Sequence, residues 1–333
     1  MGGIETHIFQ LISGLLENTD YDIDLLFWNN YSHQERSKHP LIIKLQQIDG
    51  NTKKRCRYLT ANGNLFTLFK YFQQVTTFVH THGYKAGITA RLVGVMTKTP
   101  VVSTYHNGDP GVGKLKFYNI MDKLTSFLSL NIAVNNIISE QLSRCTVIPN
   151  FVNSVEKNRF YKELEERKQI AFVGRLSFEK GPDIFSELTK HISYPVSVFG
   201  DGPMKRSLQT QYAHIDFKGM CDMEQHWHNI RVVVMPSRYE GLPLAALEAM
   251  ARGIPVIASE AGALPQLIDD CKIGKSIALE QSSIFEDEID KIMRQGNSEY
   301  QIQGEKLIDF INHNFSRKKA IPKIVEQYRL AMT

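Results

Sequence analysis

Short apolar runs alternate along the chain with stretches whose apolar residues recur every three or four positions, a strand-then-helix rhythm that repeats in two series. In the first series Ile23–Phe27, Phe78–His80, Val101–Tyr105 and Leu130–Val134 read as strands, with helices near 5–18, 62–76, 84–97, 112–127 and 135–141. In the second, Gln169–Val173, Val196–Phe199, His214–Lys218, Arg231–Met235 and Pro255–Ala258 are the strands, and helices fall near 180–191, 203–212, 222–229, 243–252 and 263–268. Strands that alternate with helices form parallel sheets covered on both faces, so the pattern predicts a doubly wound α/β protein. Val147 to Val152 and the charged stretch 153–168 mark the crossing between two domains, and 333 residues suffice for both cores. The predicted division is 1–150, 151–314 and a final helix over 315–333.

Composition narrows the class. No apolar run approaches the roughly 18 residues of a membrane span. Residues 1–15 lack the basic start and cleavage site of a leader, so a cytoplasmic protein is expected. Cys56, Cys145, Cys221 and Cys271 stand singly, which supports neither a disulfide framework nor a zinc site. The net charge of +4 hides an asymmetry: residues 36–123 hold fourteen Lys or Arg against Asp49, Asp109 and Asp122, which is +11 and leaves −7 elsewhere. Such a stretch, densest at Lys53–Arg57 and followed by Lys114, Lys116 and Lys123, would draw an anionic acceptor or the inner face of an anionic membrane. No nucleic-acid motif accompanies the charge.

Two segments carry candidate chemistry. Pro236-Ser237-Arg238-Tyr239-Glu240-Gly241-Leu242-Pro243-Leu244-Ala245-Ala246-Leu247-Glu248 joins a strand end to a helix start. Pro243 suits the first helical turn, and the amides of Gly241 to Leu244 are then free to face a phosphate. Glu240 in the loop and Glu248 in the helix suit hydroxyls at two places on one ligand. Upstream, Phe172-Val173-Gly174-Arg175-Leu176-Ser177-Phe178-Glu179-Lys180-Gly181-Pro182 puts a glycine turn between a strand and two cations. Arg175 and Lys180, a fork and a point charge, can clamp a diphosphate and stabilise it as it leaves. A third loop, Ser103 to Pro110, ends a strand at the carboxyl edge of the first sheet and carries His106, with His82 ending another strand on that edge.

In this order the segments resemble the Gly-Arg-Leu-x-x-Glu-Lys-Gly element and the Glu-x7-Glu signature of retaining glycosyltransferases of family 4. That resemblance implies the GT-B fold, two Rossmann-like domains facing across a cleft, with the last helix crossing back to the first domain. It implies transfer of a sugar from a nucleotide-sugar, a UDP-sugar foremost, to a hydroxyl of a glycan or lipid-linked saccharide, with an α-linkage and no cofactor. Arg175 and Lys180 would hold the diphosphate, Glu248 the ribose, Glu240 the transferred sugar, and Met220 the base. His106 and a Gly2-Gly3 loop would close over the donor. His82 would help to form the acceptor pocket.

Departures and rival readings stand beside it. Arg231 occupies a position where the family has Asp, and Gln266 one where Glu often follows. No strand precedes Gly2-Gly3, so a first strand and about ten residues upstream are expected to be missing, at a cost of about 1–3 kcal/mol for each backbone group left unpaired. An epimerase or phosphorylase of the same fold would need acid/base carboxylates or a pyridoxal-phosphate lysine that the sequence does not offer. A non-catalytic subunit would lack Arg175, Lys180 or Glu240. For a metal, Asp22-Ile23-Asp24 begins a strand remote from the phosphate elements, and His80-x-His82 and His226-Trp227-His228 have no third ligand nearby in sequence, so no metal is expected.

Overall fold

The computed structural model describes residues 2–28, 38–48, 55–60, 64–75, 77–106, 111 and 113–333. They form two compact units, one of residues 3–150 with 317–333 and one of residues 151–316.

The second unit is a six-stranded parallel sheet. In chain order its strands are β7 (Gln169–Val173), β8 (Val196–Phe199), β9 (Asp216–Gly219), β10 (Ile230–Met235), β11 (Val256–Ser259) and β12 (Lys275–Ile277). Their spatial order is β12-β11-β10-β7-β8-β9. Every residue of β10 is buried, as expected for a strand at the centre of a sheet covered on both faces. Ile170, Phe172, Val198, Val232 and Val234 pack with Phe185, Phe285 and Ile289 from the covering helices. Arg231, the departure noted in the sequence, is one of those buried residues. Its guanidinium donates to the carbonyls of Ile292 (3.0 Å) and Gln295 at the end of the helix Ser282–Arg294, and lies over the Tyr300 ring. The cation thus closes a helix C-terminus, where exposed carbonyls favour positive charge.

The first unit holds two parallel sheets. β1 (Ile23–Phe27) pairs with β2 (Cys56–Thr60), and β3 (Val79–His82), β4 (Val101–Tyr105), β5 (Leu130–Ala133) and β6 (Cys145–Val147) form the other in sequential order. The helix Arg317–Met332 packs against the helix Gly3–Asn18: Arg317 pairs with Glu17 at 2.8 Å, and a Cβ on Gly14 would meet the Ile321 side chain.

Several sequence expectations shift. Gly3 is the first residue of a sixteen-residue helix, so Gly2-Gly3 does not form a loop there; Glu5 in the first turn and the apolar stripe Leu11, Leu15 start that helix at once. The predicted helix over 222–229 is two 3₁₀ turns, with Trp227 buried beneath Arg252, which takes His226 and His228 off any strand. Asp24 is occupied by Arg57 (2.7 Å) and the Tyr71 hydroxyl. Arg55 donates to the carbonyls of Thr19 (2.6 Å) and Leu16, so the described arginines of the basic cluster are both committed to the fold, while Lys53 and Lys54 lie outside the described residues.

Candidate active site

In the second unit the chain leaves β7 for β8 and β9 on one side and then returns to place β10, β11 and β12 on the other. Adjacent strands β7 and β10 therefore flank a topological switch point, the place at the carboxyl edge where open α/β sheets bind ligands. Both phosphate-binding segments read from the sequence are these two loops.

The loops are strapped together. The amides of Arg238 and Tyr239 donate to the Glu179 carbonyl at 2.8 and 3.1 Å, and the Arg238 guanidinium holds Asp183 through two bonds of 3.0 and 2.7 Å while lying over the Phe178 ring. Gly181 has φ +67°, and a Cβ there would collide with the Pro236 carbonyl, so only glycine lets the two loops approach this closely. The result is an ion pair between the loops: Lys180 Nζ lies 2.7 Å from Glu240 Oε2. The Ser237 hydroxyl donates to Glu240 Oε1 at 3.0 Å. Glu240 is only 6% exposed, and a carboxylate that buried depends on both partners. Lys180 is more open, its side chain 29% exposed, which leaves ammonium donors for a ligand.

Arg175 stands exposed on the same loop as Lys180. The loop is tied to its neighbour by Leu176 N–H to the Asp201 carbonyl at 3.0 Å, and Gly200 N–H reaches the Gly219 carbonyl at 2.8 Å. Met220, one residue on, has an exposed side chain. Gly241 and Leu242 are buried, and Ala263 N–H fixes the Gly241 carbonyl at 2.9 Å. The following helix, Leu244–Met250, begins one residue later than the sequence suggests: Pro243 is its N-cap, in an extended conformation, rather than part of its first turn. Glu248 is half-buried within that helix. The structure thus brings Lys180 and Glu240 into contact and puts Arg175 and Gly241–Leu244 on the two loops that carry them. Ser237, Asp183 and Arg238, which hold the pair in place, were not singled out from the sequence; Arg238 and Asp183 sit 55 positions apart, and no local spacing announces them.

Gly2, Gly3 and His106 lie outside these two loops. His106 follows β4 and joins an imidazole cluster in the first unit. Its Nε2 is 3.0 Å from His82 Nδ1, and its ring centroid is 4.5 Å from that of His7, on the first helix. His80 bonds the Tyr328 hydroxyl and Thr104 Oγ1, both at 2.7 Å. The Asn150 side chain lies beside His7 and His106 and works against the lowering of their pKa values. The sequence shows no third ligand near His82; the fold supplies two, His7 and His106, with ligand atoms of all three within 4.8 Å of one another. Three neutral imidazoles so placed suit a borderline-soft divalent cation.

Burial holds the imidazoles neutral, His106 at about 4 and His80 at about 3, the second also opposed by His106; His7 and His82 are lowered well below the ordinary value by burial and by neighbouring imidazoles. Unfolded histidines titrate near 6.5, so between about pH 6.5 and 4 the unfolded state binds more protons. This contribution to stability is full above pH 6.5 and is lost as pH falls toward 4. Calorimetric melting is expected to show a midpoint that declines through this window in the parent and declines less steeply in a His80→Gln/His106→Gln variant. Equal slopes would contradict the neutral cluster.

Comparison with known proteins agrees with this architecture. Residues 154–306 match the family model of glycosyl transferases group 1, and residues 1–156 match that of glycosyltransferase family 4. An uncharacterised glycosyltransferase of Methanocaldococcus jannaschii is 23% identical over 287 residues, covering 81% of this chain and 78% of that protein. The UDP-Gal:alpha-D-GlcNAc-diphosphoundecaprenol alpha-1,3-galactosyltransferase of Escherichia coli is 29% identical over 237 residues, covering 59% of this chain and 61% of that protein. Among solved structures, Anabaena HepE in complex with UDP-glucose superposes with a TM-score of 0.77 at 14% identity, over 99% of this chain and 96% of that one. With two Rossmann-like units of parallel sheet and family matches that run from residue 1 to residue 306, the chain is a group 1 glycosyltransferase with the GT-B fold.

Proposed function

We propose that this transferase is a retaining enzyme of family 4 that moves a sugar from a UDP-sugar to a hydroxyl of a glycan or lipid-linked saccharide, forming an α-linkage without a metal ion. The observation that carries the reading is the Lys180–Glu240 pair at the switch point, one member open to a ligand and the other buried. Arg175 and Lys180 take the diphosphate, and the amides of Gly241 and Leu244 add donors to it. Glu240 accepts from hydroxyls of the transferred sugar, Glu248 from the ribose, and the backbone near Met220 faces the base. His106 keeps a hydrogen-bonding role toward a sugar hydroxyl, in the neutral form that its burial favours. Attack from the face of the leaving group lets a phosphate oxygen take the acceptor's proton, so no protein nucleophile is required; the protein contributes orientation and two cations where negative charge grows. The UDP-glucose complex of HepE and the diphosphoundecaprenol-linked acceptor named for the E. coli relative support the donor and acceptor classes. A non-catalytic subunit is the less favoured reading because Arg175, Lys180 and Glu240 are all in place, and an epimerase or phosphorylase because the sequence offers neither the extra acid/base carboxylates nor a pyridoxal-phosphate lysine. No helix among the described residues is long and apolar enough to cross a membrane. A peripheral position at the cytoplasmic face fits both the basic stretch and a lipid-linked acceptor.

The test is nucleotide release from a panel of nucleotide-sugars in saturating EDTA, followed by NMR of the product's anomeric proton. Release from a UDP-sugar that survives chelation and gives the α-anomer is the expected result. Activity that vanishes and returns with Mn²⁺ or Mg²⁺, or a β-product, would overturn it.

A further inference from the structure

We propose that the outer surface of two helices in the first unit, α1 (Tyr84–Thr97) and α2 (Lys114–Leu124), is the face by which this protein lies on an anionic phospholipid bilayer. The inference deepens the peripheral-membrane part of the proposed function by naming the face, and it uses neither the donor nor the acceptor.

These helices connect β3 to β4 and β4 to β5, which are consecutive parallel neighbours, so the right-handed crossover rule puts both on the same side of the sheet. Their facing sides are fixed. Arg91 of α1 pairs with Asp122 of α2 and donates to the Tyr105 hydroxyl at 2.6 Å, and Tyr84 stacks on Tyr118 at 5.5 Å.

The polarity of α2 is inverted. Its one buried residue is Asp122, while Phe117, Ile120 and Leu124, spaced to share one stripe, point outward. Phe117 is 62% exposed and Leu124 61%, and the stripe continues into exposed Phe127 on the next turn. On α1, Leu92 and Met96 are likewise exposed. A water-facing helix normally turns such a stripe inward. Single exposed apolar residues mean little, whereas a run of large ones on two adjacent helices marks an interaction surface.

Charge selects the occupant. Lys85, Lys98, Lys114, Lys116 and Lys123 are all exposed on these helices or at their ends, and the one carboxylate among the described residues of 84–128 is Asp122, already bound to Arg91. Aromatic and aliphatic side chains among lysines, with no exposed carboxylate among the described residues of 84–128, match the boundary between acyl chains and anionic headgroups: rings enter the boundary while ammonium groups reach lipid phosphates. The basic cluster near residue 55 matches it less well, since Arg55 and Arg57 are occupied within the fold.

The experiment is sedimentation of the full chain with vesicles of phosphatidylcholine alone and of phosphatidylcholine with an equal part of phosphatidylglycerol, at low and high salt. The parent is expected to partition onto the anionic vesicles, less so in high salt. Phe117→Ser/Leu124→Ser and Lys114→Gln/Lys116→Gln should each weaken that partition about tenfold or more, and Lys53→Gln/Lys54→Gln should leave it within about twofold. UDP release in detergent-free buffer, measured on the same variants, should stay at the parent level, which separates loss of the membrane face from failure of the transferase reading. Partition unchanged in the Phe117/Leu124 variant, or equal partition of the parent onto neutral and anionic vesicles, would overturn the proposal. So would a dimer seen by sedimentation velocity without lipid that this variant disperses, which would assign the face to a second copy.

Discussion

Replacing Lys180 by methionine is expected to lower kcat/KM for sugar transfer about 10²–10³-fold, the scale of one preorganised charge contact that strengthens as a leaving group gains charge. The geometry adds a second consequence. Lys180 is the cation 2.7 Å from buried Glu240, so its removal leaves a carboxylate that retains only the Ser237 hydroxyl among its side-chain partners at the loop junction. Stranding a buried charge costs about 3–5 kcal/mol in the full case. Lys180 is partly solvated, and the loss of stability should be a modest fraction of that. Circular dichroism melting therefore belongs beside the kinetics: a folded variant with activity within threefold of the parent would remove Lys180 from the chemistry.

Glu240→Gln is the second large effect and has a different signature. Glutamine keeps the size of the side chain and an acceptor for Ser237, but it releases Lys180 from its ion pair. The ammonium then turns fully to the diphosphate. UDP should bind as tightly as in the parent or tighter, while kcat for transfer falls about 10²-fold because the sugar loses the charged acceptor that orients it. Product inhibition by UDP and single-turnover transfer, measured together, check this. Weakened UDP binding with an unchanged kcat would place Glu240 on the nucleotide instead of the sugar.

Much of this candidate site was readable from residues because the proposed chemistry sits on loops whose neighbours are strongly patterned. β7, β8 and β10 are predominantly apolar, with one polar residue each (Gln169, Ser197 and Arg231), so the strand ends, and with them Arg175, Lys180 and Glu240, fall where period and turn residues put them. The strands that the sequence hid lack that pattern. β2 carries Arg57 in mid-strand behind a basic cluster, and β6 and β12 are three residues each, two-thirds polar in the case of Lys275-Ser276-Ile277. The helices Ser282–Arg294 and Asn297–Asn314 have ordinary amphipathic spacing, as at Phe285, Ile289 and Ile292, but a count of strand-helix repeats does not call for them. The histidine cluster was legible only in part, as His82 and His106 ending strands on one sheet edge. His7 comes from the first helix, and His82 and His106 from strand ends 75 and 99 positions later, so only the tertiary fold gathers them. Arg231 reads in the sequence as a lost acid; in the structure it closes a helix end, a role with no local signal.

The central claim is that Lys180 and Glu240 act as one unit on a nucleotide-sugar at the switch point of the second unit. A double-mutant cycle of Lys180→Met, Glu240→Gln and the pair, read as kcat/KM with a UDP-sugar, tests it most directly. The expected result is strong non-additivity, the double variant losing little more than the worse single one, because each change already dismantles the same contact. Losses that multiply, as for two independent sites, would contradict it.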